Sequence, residues 1–225
     1  MNGYLKFDSG LKKFAIATMM AVALTACGSG GDETASTTAG SSDDFLVEGD
    51  HILGDASAPV TVVEYASVTC GACGNWHNNV YPDFKAKYID SGKVRFVFRE
   101  FEINDSMDYA GFTIANCAGE EKFFRNINAQ FKRQSAILNA PNIRKAYEEL
   151  AKSSGISVQQ YEECSQDPEW RAKYEAIQKK GKDLGVDSTP TFFINGIRYP
   201  GKKMFKIEDF DGVIGPLLSE AEAAE

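Results

Sequence analysis

Two cysteines separated by two residues are the first feature of this sequence that could carry out chemistry. Cys70 and Cys73 enclose Gly71-Ala72 and follow the β-branched and aromatic run Val60–Ala66. We predict a buried strand over that run and a helix that begins at the cysteines. The backbone amides and dipole of a helix N-terminus favour a thiolate, so we expect Cys70 to have a lowered pKa and to act as a nucleophile. Cys73, one turn further along, would be more buried and would resolve a mixed disulfide.

The same two cysteines are open to other interpretations. A purely structural disulfide can close across this spacing at a helix start in any exported protein. A zinc site needs four ligands, and the sequence offers only His51 and His77 as histidines and no second Cys-x-x-Cys motif. Covalent haem attachment requires a histidine directly after the second cysteine, where this chain has Gly74. We therefore predict neither a metal site nor another cofactor.

Glu64 could exchange a proton with this pair. It lies six residues before Cys70, in the middle of the apolar run, where an ionised carboxylate is costly to bury. A carboxyl group in such a place holds its proton more readily than usual, so it could move protons when the buried cysteine reacts. The alternative, which periodicity leaves open, is that Glu64 faces solvent at the edge of the sheet.

A second motif, Ser188-Thr189-Pro190-Thr191, directly precedes an apolar run that predicts another strand. A proline in this position can be cis, so that it does not block the strand and neighbouring backbone groups can pair with an extended peptide. On its own the motif indicates only a turn. Together with the cysteine pair it predicts a substrate-binding loop that contains Thr189 and Pro190.

The elements that must position these residues follow a regular order. We predict a helix over Ala72–Ile89 and then a strand over Val94–Phe101, which a right-handed crossover would pair in parallel with the first strand. Residues 105–184 change to helical periodicity and predict an insert of four or five helices, which include Tyr109–Gly119, Lys122–Gln134, Ile143–Lys152 and Glu169–Lys182. Asn195-Gly196 between two short apolar runs then predicts a hairpin. A closing helix over Phe205–Leu218 completes an α/β fold.

The N-terminal residues predict export and lipid attachment. Residues 1–26 have the layout of a secretory signal, and their apolar run is shorter than the about 20 residues of a transmembrane helix. The run ends in Leu24-Thr25-Ala26-Cys27, which resembles the lipobox of bacterial lipoproteins and predicts lipid attachment at Cys27. An ordinary signal peptide with an incidental cysteine is the alternative. Residues 27–44 are rich in Gly, Ser, Thr and Asp and predict a flexible tether. The expected location is therefore a membrane surface that faces the periplasm or the cell exterior.

The net charge limits the classes of binding partner, and the number of cysteines indicates the redox compartment. The chain has a formal net charge of -8, and residues 1–26 contribute three Lys against one Asp, so the remainder is more acidic still. This charge disfavours nucleic acid and anionic lipid as partners. With Cys27 attached to lipid, an even number of cysteines remains in a compartment where disulfides persist, namely Cys70, Cys73, Cys117 and Cys164.

Two segments carry a resemblance to a known family. Residues 53–73, which read LGDASAPVTVVEYASVTCGAC, and residues 187–196, which read DSTPTFFING, resemble the opening and the cis-proline segment of DsbA-like proteins of the thioredoxin superfamily. The resemblance extends from about residue 50 to residue 218. It implies a thioredoxin fold interrupted by a helical domain, with Cys70 as nucleophile, Cys73 as resolving thiol, Glu64 as buried acid and Pro190 in cis.

The resemblance also bears on the division of the chain and on its other cysteines. Residues 45–104 and 185–220 would form the two parts of the thioredoxin-like domain, on either side of the insert at 105–184. Some DsbA-like proteins have a second disulfide in the helical domain, so we expect one between Cys117 and Cys164. Two buried free thiols are the alternative.

The activity that the resemblance implies is disulfide exchange with unfolded or reduced secreted proteins. A disulfide donor would be kept oxidised by a membrane partner resembling DsbB. Gly71-Ala72 replaces the Pro-His of the best-known DsbA, so the imidazole is absent and a more moderate redox potential is expected. Thr189 before the proline also resembles disulfide isomerases, which keeps an isomerase or reductase as the alternative. A non-catalytic lipoprotein that uses the fold as a binding module is a further alternative.

Overall fold

The computed structural model describes residues 45–224, so the predictions of a signal peptide, of lipid attachment at Cys27 and of a tether lie outside the described residues. The strands in the described part are β1 (His51–Leu53), β2 (Val60–Ala66), β3 (Val94–Glu100), β4 (Thr191–Ile194) and β5 (Ile197–Pro200). Its helices are α1 (Gly71–Asn79), α2 (Tyr81–Phe84), α3 (Asp105–Cys117), α4 (Glu120–Leu138), α5 (Ile143–Ser153), α6 (Val158–Ser165), α7 (Pro168–Asp183) and α8 (Ile207–Ala223). None of these helices combines the length and the apolar character that crossing a membrane requires.

These strands form one sheet in the order β1-β3-β2-β4-β5. β2 and β3 pair in parallel, as the crossover rule predicts, while β4 pairs antiparallel with β2 and β5 antiparallel with β4. β2 lies at the centre of the sheet and is buried at every position, which explains why its sequence is a nearly continuous apolar run. The predicted α/β thioredoxin fold with a helical insert is confirmed. The edge strand β1 was not predicted, because three residues are too few to show a period.

Two predicted helices differ from the observed ones at proline residues. The single helix predicted over Ala72–Ile89 is wrong: α1 ends at Asn79, and α2 begins a new short helix that continues as a π-helical turn over Lys85–Ile89. Pro82 in the first turn of α2 has no amide to donate, so it favours a helix start over a helix interior. The closing helix α8, in contrast, runs through Pro216 to Ala223.

The insert between β3 and β4 consists of helices α3 to α7 with a small core of their own. The buried residues of this small core are Ile114, Ile137, Tyr147, Leu150, Ala151 and Ile156. A disulfide joins Cys117 at the end of α3 to Cys164 on α6, with the two Cα atoms 6.0 Å apart. α6 begins with a capping box between Ser157 and Gln160, which satisfies two backbone amides at its start.

The charged residues of β3 lie in the interior and attach neighbouring segments to the sheet. Arg99 is fully buried and donates hydrogen bonds to both carboxylate oxygens of Asp50, at 2.8 and 2.7 Å. Glu100 is also fully buried and forms an ion pair of 3.1 Å with Nε2 of His51. Burial lowers the pKa of His51, but the hydrogen bond and charge of Glu100 outweigh it, so the pKa is raised overall.

Candidate active site

Cys70 is the N-cap residue of α1, four residues after the end of β2. Its extended backbone, with φ of -76° and ψ of 119°, lets Sγ accept a hydrogen bond from the backbone amide of Cys73 at 3.5 Å. The sulfur thus occupies the capping position that an oxygen of Ser or Asp usually takes. No acidic residue lies in the first turn of α1, so the positive end of the helix dipole acts on this sulfur without a competing carboxylate.

The two thiols of the pair have opposite properties. The pKa of Cys70 is lowered to about 6, chiefly by the hydrogen bond from the Cys73 thiol, and this effect together with the backbone amides of Cys73 and Ala72 outweighs burial. Burial raises the pKa of Cys73 well above its usual value, and the charges of Cys70 and Glu64 add to that effect. Cys70 retains 7% exposure, whereas Cys73 is fully buried. Both are free thiols, and at neutral pH Cys70 is mostly a thiolate while Cys73 is protonated.

The Thr189-Pro190 segment lies directly beside Cys70. In the thiol form, Sγ of Cys70 donates a hydrogen bond to the carbonyl oxygen of Thr189 at 3.2 Å. The Thr189-Pro190 peptide bond is cis, and the carbonyl oxygen of Pro190 accepts a hydrogen bond from the amide of Gly201 at 2.9 Å. A Cβ on Gly201 would lie only 2.2 Å from that oxygen, so the close approach requires glycine. Sequence reasoning missed Gly201, because nothing in its neighbourhood distinguishes it from a turn glycine.

A surface groove of about 600 Å³ lies next to this segment. Its lining combines apolar and polar side chains and consists of Ala72, Asp187, Ser188, Thr189, Pro190, Arg198, Pro200, Lys202 and Phe205. Phe205 is 37% exposed at this surface, and Arg198 and Asp187 form an ion pair of 2.7 Å. An open groove with an exposed aromatic ring can accept part of an extended polypeptide beside the reactive sulfur.

Glu64 lies on the central strand and is fully buried, so the alternative that it faces solvent at the sheet edge is wrong. Its Oε2 is 2.9 Å from Nε2 of His77 on α1, which is also buried. Sequence reasoning considered His77 only as a metal ligand. Its position four residues after Cys73 was the available signal, because side chains at this spacing share one face of a helix. Among residues 45–224, no group of three or more His, Cys, Asp or Glu side chains could hold a metal ion.

The insert holds the loop that leads into the reactive cysteine. Asp108 on α3 is fully buried and accepts hydrogen bonds from the hydroxyl of Ser67 at 2.7 Å and from the amide and hydroxyl of Thr69 at 3.1 Å each. The same carboxylate accepts hydrogen bonds from the amides of Ile103 and Asn104 at 2.8 Å each. One side chain of the insert therefore ties the loop before α1 to the segment after β3.

Gln134 on α4 holds the same loop from another direction. Its Nε2 donates hydrogen bonds to the carbonyl oxygens of Val68 and Cys70, at 2.9 and 2.8 Å. α4 packs so tightly on α1 here that a Cβ on Gly74 would lie 2.4 Å from Oε1 of Gln134. Sequence reasoning missed both Gln134 and Asp108, because their partners in the loop lie 39 to 66 residues away along the chain.

Comparison with known structures and families agrees with this architecture. A family model described as Thioredoxin matches residues 46–214, which include both parts of the sheet and the helical insert. The crystal structure of alpha-DsbA1 from Wolbachia pipientis matches with a TM-score of 0.72 and 27% sequence identity, over 82% of this chain and 99% of that one.

Two relatives from Rickettsia are similar in sequence. A protein of Rickettsia bellii, provisionally named a protein-disulfide oxidoreductase, is 28% identical over 180 residues, which make up 78% of this chain and 67% of the relative. A protein of Rickettsia prowazekii with the same provisional name is 31% identical over 156 residues, or 67% of this chain and 56% of the relative. The chain thus spans between about half and two thirds of the length of these relatives. It belongs to the thioredoxin superfamily and is a DsbA-like member of it.

Proposed function

We propose that this protein exchanges disulfides with substrate proteins through Cys70 and Cys73. The observation that carries the proposal is the sulfur of Cys70 at the N-terminus of α1, where its pKa is lowered to about 6 beside a fully buried second thiol. A thiolate is the attacking species in thiol–disulfide exchange, and a thiol of low pKa is also the better leaving group. Both properties belong to Cys70, whose sulfur lies 3.2 Å from the Thr189 carbonyl, beside the open groove through which a substrate would approach.

As a disulfide donor the protein would react in two balanced steps. A substrate thiolate attacks Sγ of Cys70, the Cys70-Cys73 bond breaks, and Cys73 leaves as a thiolate that takes up a proton. A second substrate thiolate then attacks the substrate sulfur of the mixed disulfide, and Cys70 leaves as a thiolate. The substrate gains one disulfide and loses two electrons, which reduce Cys70 and Cys73. Glu64 is the buried group that we propose to supply or accept the proton at Cys73.

Thr189, Pro190 and the neighbouring groove are the proposed substrate-binding surface. The Thr189 carbonyl lies 3.2 Å from Sγ of Cys70, so a chain bound along this segment would bring its own sulfur close to the nucleophile. The groove is open and partly apolar, which suits an unfolded or reduced polypeptide better than a compact folded one. Secreted proteins that still lack their disulfides are the proposed substrates.

The residues between the two cysteines favour a donor of moderate strength. The pKa of Cys70, about 6, lies between the values of about 3.5 for DsbA and about 7 for thioredoxin. Since a more stable thiolate makes the disulfide a stronger oxidant, we expect a redox potential between about -120 mV and about -270 mV, the values of those two proteins. The measurement is equilibration with glutathione buffers followed by trapping of the thiols.

A variant with different residues between the two cysteines tests whether Gly71-Ala72 is the cause of the moderate redox potential. Replacing Gly71-Ala72 by Pro-His (Gly71→Pro with Ala72→His) should move the potential toward -120 mV, because the added imidazole stabilises the thiolate. A wild-type potential at or below about -270 mV would contradict a disulfide donor. It would favour the isomerase or reductase alternative, to which Thr189 also points.

Export and lipid anchoring at Cys27 belong to the same proposal. Their support is the sequence of residues 1–44, with its basic start, apolar run, lipobox-like Leu24-Thr25-Ala26-Cys27 and polar tether. A site outside the cytoplasm would suit a disulfide donor, since disulfides persist there. After each donation the reduced pair needs an oxidant, and we propose a membrane protein resembling DsbB for this role.

A further inference from the structure

His77 and Glu64 form a buried pair within an aromatic environment. The 2.9 Å contact joins Nε2 of His77 to Oε2 of Glu64. The imidazole ring is stacked on Phe131 of α4, with ring centroids 4.0 Å apart, and meets Phe98 of β3 edge-on at 6.0 Å. A carboxylate is costly to place in such surroundings unless a partner donates a hydrogen bond to it. In the tautomer that carries its proton on Nε2, His77 provides that donor.

Each member of this pair keeps one polar atom without a partner. Oε1 of Glu64 and Nδ1 of His77 have no hydrogen-bond partner among the described residues. Buried polar atoms are paired in the great majority of cases, so such exceptions call for an explanation. Because Oε1 of Glu64 and Nδ1 of His77 are free of other hydrogen bonds among the described residues, the pair can gain or lose a proton at these atoms while the contact between Nε2 and Oε2 persists. This is the behaviour that a buried proton carrier needs.

The pair is placed to act on Cys73. His77 follows Cys73 by four residues on α1, so the two side chains lie on one face of the helix. The charge of Glu64 is near enough to raise the pKa of Cys73. Cys73 is fully buried, so water cannot take its proton directly.

We propose that His77 is a positioning residue that orients Glu64 and keeps it in the form that accepts the proton of Cys73. This inference rests on the proposed exchange reaction. In the resolving step, the Cys73 thiol transfers its proton to the Glu64 carboxylate, and the resulting thiolate attacks Sγ of Cys70 in the mixed disulfide. The bond between Cys70 and the substrate sulfur breaks, and the substrate leaves as a thiolate. The substrate sulfur is reduced, and Cys70 and Cys73 are oxidised.

The groups that face His77 come from four elements. β2 contributes Glu64, and α2 contributes Tyr81, whose ring centroid is 5.0 Å from that of His77. β3 and α4 contribute the uncharged rings of Phe98 and Phe131. On α1 itself the titratable neighbour is Cys73. Burial raises the pKa of Tyr81, and the charge of Glu64 adds to this effect, so Tyr81 stays neutral between pH 5 and pH 9.

One experiment distinguishes the attack by Cys70 from the resolution by Cys73. Reduced protein is mixed with excess 5,5'-dithiobis(2-nitrobenzoic acid), and the coloured thiolate is followed by stopped flow between pH 5.5 and pH 8.5. Attack by Cys70 releases one equivalent, and resolution by Cys73 releases a second. In His77→Phe, which keeps an aromatic ring on Phe131 but has no N–H, we expect an unchanged first phase and a second phase slowed about tenfold near pH 6.5. The second phase should recover as the pH rises, because fewer protons then compete for the Glu64 carboxylate, which in this variant lacks the hydrogen bond from His77.

Further variants distinguish positioning from general damage to the fold. His77→Gln keeps a donor for Glu64 and should be slowed less than His77→Phe. If both groups act in one relay, combining His77→Phe with Glu64→Gln should be no slower than Glu64→Gln alone, within about twofold. His51→Gln is the matched control, because His51 is the other buried histidine paired with glutamates, and both phases should match the wild type.

The outcomes separate this inference from the proposed function. A wild-type protein without a fast first phase would overturn the exchange reaction itself. A normal wild type together with a His77→Phe variant of unchanged rate and pH profile would overturn only the role of His77. Effects of His77→Phe and Glu64→Gln that multiply would show independent roles and would likewise overturn it. Should His77→Phe fail to fold, the His77→Gln profile decides between these results.

Discussion

Replacing Cys70 by serine should lower the rate of disulfide exchange to that of the uncatalysed reaction, a loss of at least about a hundredfold. Serine has nearly the same shape, but its hydroxyl is not ionised at the N-terminus of α1 and cannot form a mixed disulfide. Cys73→Ser should keep the attacking thiolate and lose the resolving thiol. It should therefore accumulate a mixed disulfide between Cys70 and the substrate. The two measurements are reduction of insulin and oxidative refolding of a reduced protein, with mass spectrometry of the trapped species.

The pair of serine variants is its own control, because each removes one sulfur from the same site. Cys73→Ser tests whether the fold tolerates the change, and Cys70→Ser tests whether the first sulfur is required. Equal rates for wild type and Cys70→Ser would mean that the cysteines only cross-link the fold. The protein would then be a binding module on a thioredoxin fold.

Replacing Asp108 by alanine should lower the free energy of unfolding by about 3 kcal/mol, since hydrogen bonds to a charged group contribute about 1.5 to 3 kcal/mol each and water can replace only some of them. The donors that lose their acceptor include the hydroxyl of Ser67, the amide of Thr69 and two amides after β3. The loop before Cys70 should also loosen, so the thiolate of Cys70 should form at higher pH than in the wild type. Urea unfolding and alkylation of Cys70 measure the two effects.

Asp105→Ala is the matched control for this variant. Asp105 is exposed and lies in the first turn of the same helix as Asp108. Its replacement by alanine therefore removes the same charge from the helix N-terminus. Its loss should cost about 0.3 to 1 kcal/mol through the helix dipole and should leave Cys70 unchanged. Equal destabilisation by the two variants would show that the hydrogen bonds of Asp108 contribute nothing specific to the loop.

The reactive pair and its supporting strands were predictable because their signals are local. A continuous apolar run predicts the central strand β2, and Cys70 and Cys73 directly after it predict a helix start. The parallel pairing of β2 with β3 followed from the absence of a tight hairpin between them. Each of these inferences uses residues within one or two elements, where periodicity and turn chemistry are informative.

The partners of these residues were not predictable because they come from distant parts of the chain. Asp108 and Gln134 belong to the helical insert, and their amphipathic pattern is that of any packed helix. The sequence shows a polar residue at each position but not the loop that it contacts. His77 is the exception, since its spacing from Cys73 places the two side chains on the same helix face. The spacing does not show that His77 contacts Glu64 on β2, which only the structure reveals.

The prediction of helix boundaries from the sequence is limited in a similar way at prolines. Pro82 begins a new helix, whereas Pro216 lies inside α8, and local sequence alone gives both residues the same meaning. The difference comes from packing. Leu217 and Leu218 beyond Pro216 are partly buried against the apolar core that contains Trp76, Phe84 and Phe210. This burial offsets the hydrogen bond that the proline cannot form.

The most direct test of the account is the pH dependence of Cys70 alkylation. Reduced protein is treated with iodoacetamide between pH 4 and pH 9, and mass spectrometry locates the modified cysteine. Because the lowered pKa of Cys70, about 6, keeps the thiolate at neutral pH, we expect the rate to be constant above pH 7 and to fall by half near pH 6. Cys73 should stay unmodified throughout. A midpoint above about pH 8, the range of an ordinary thiol, or a native protein in which Cys70 does not react, would contradict the account.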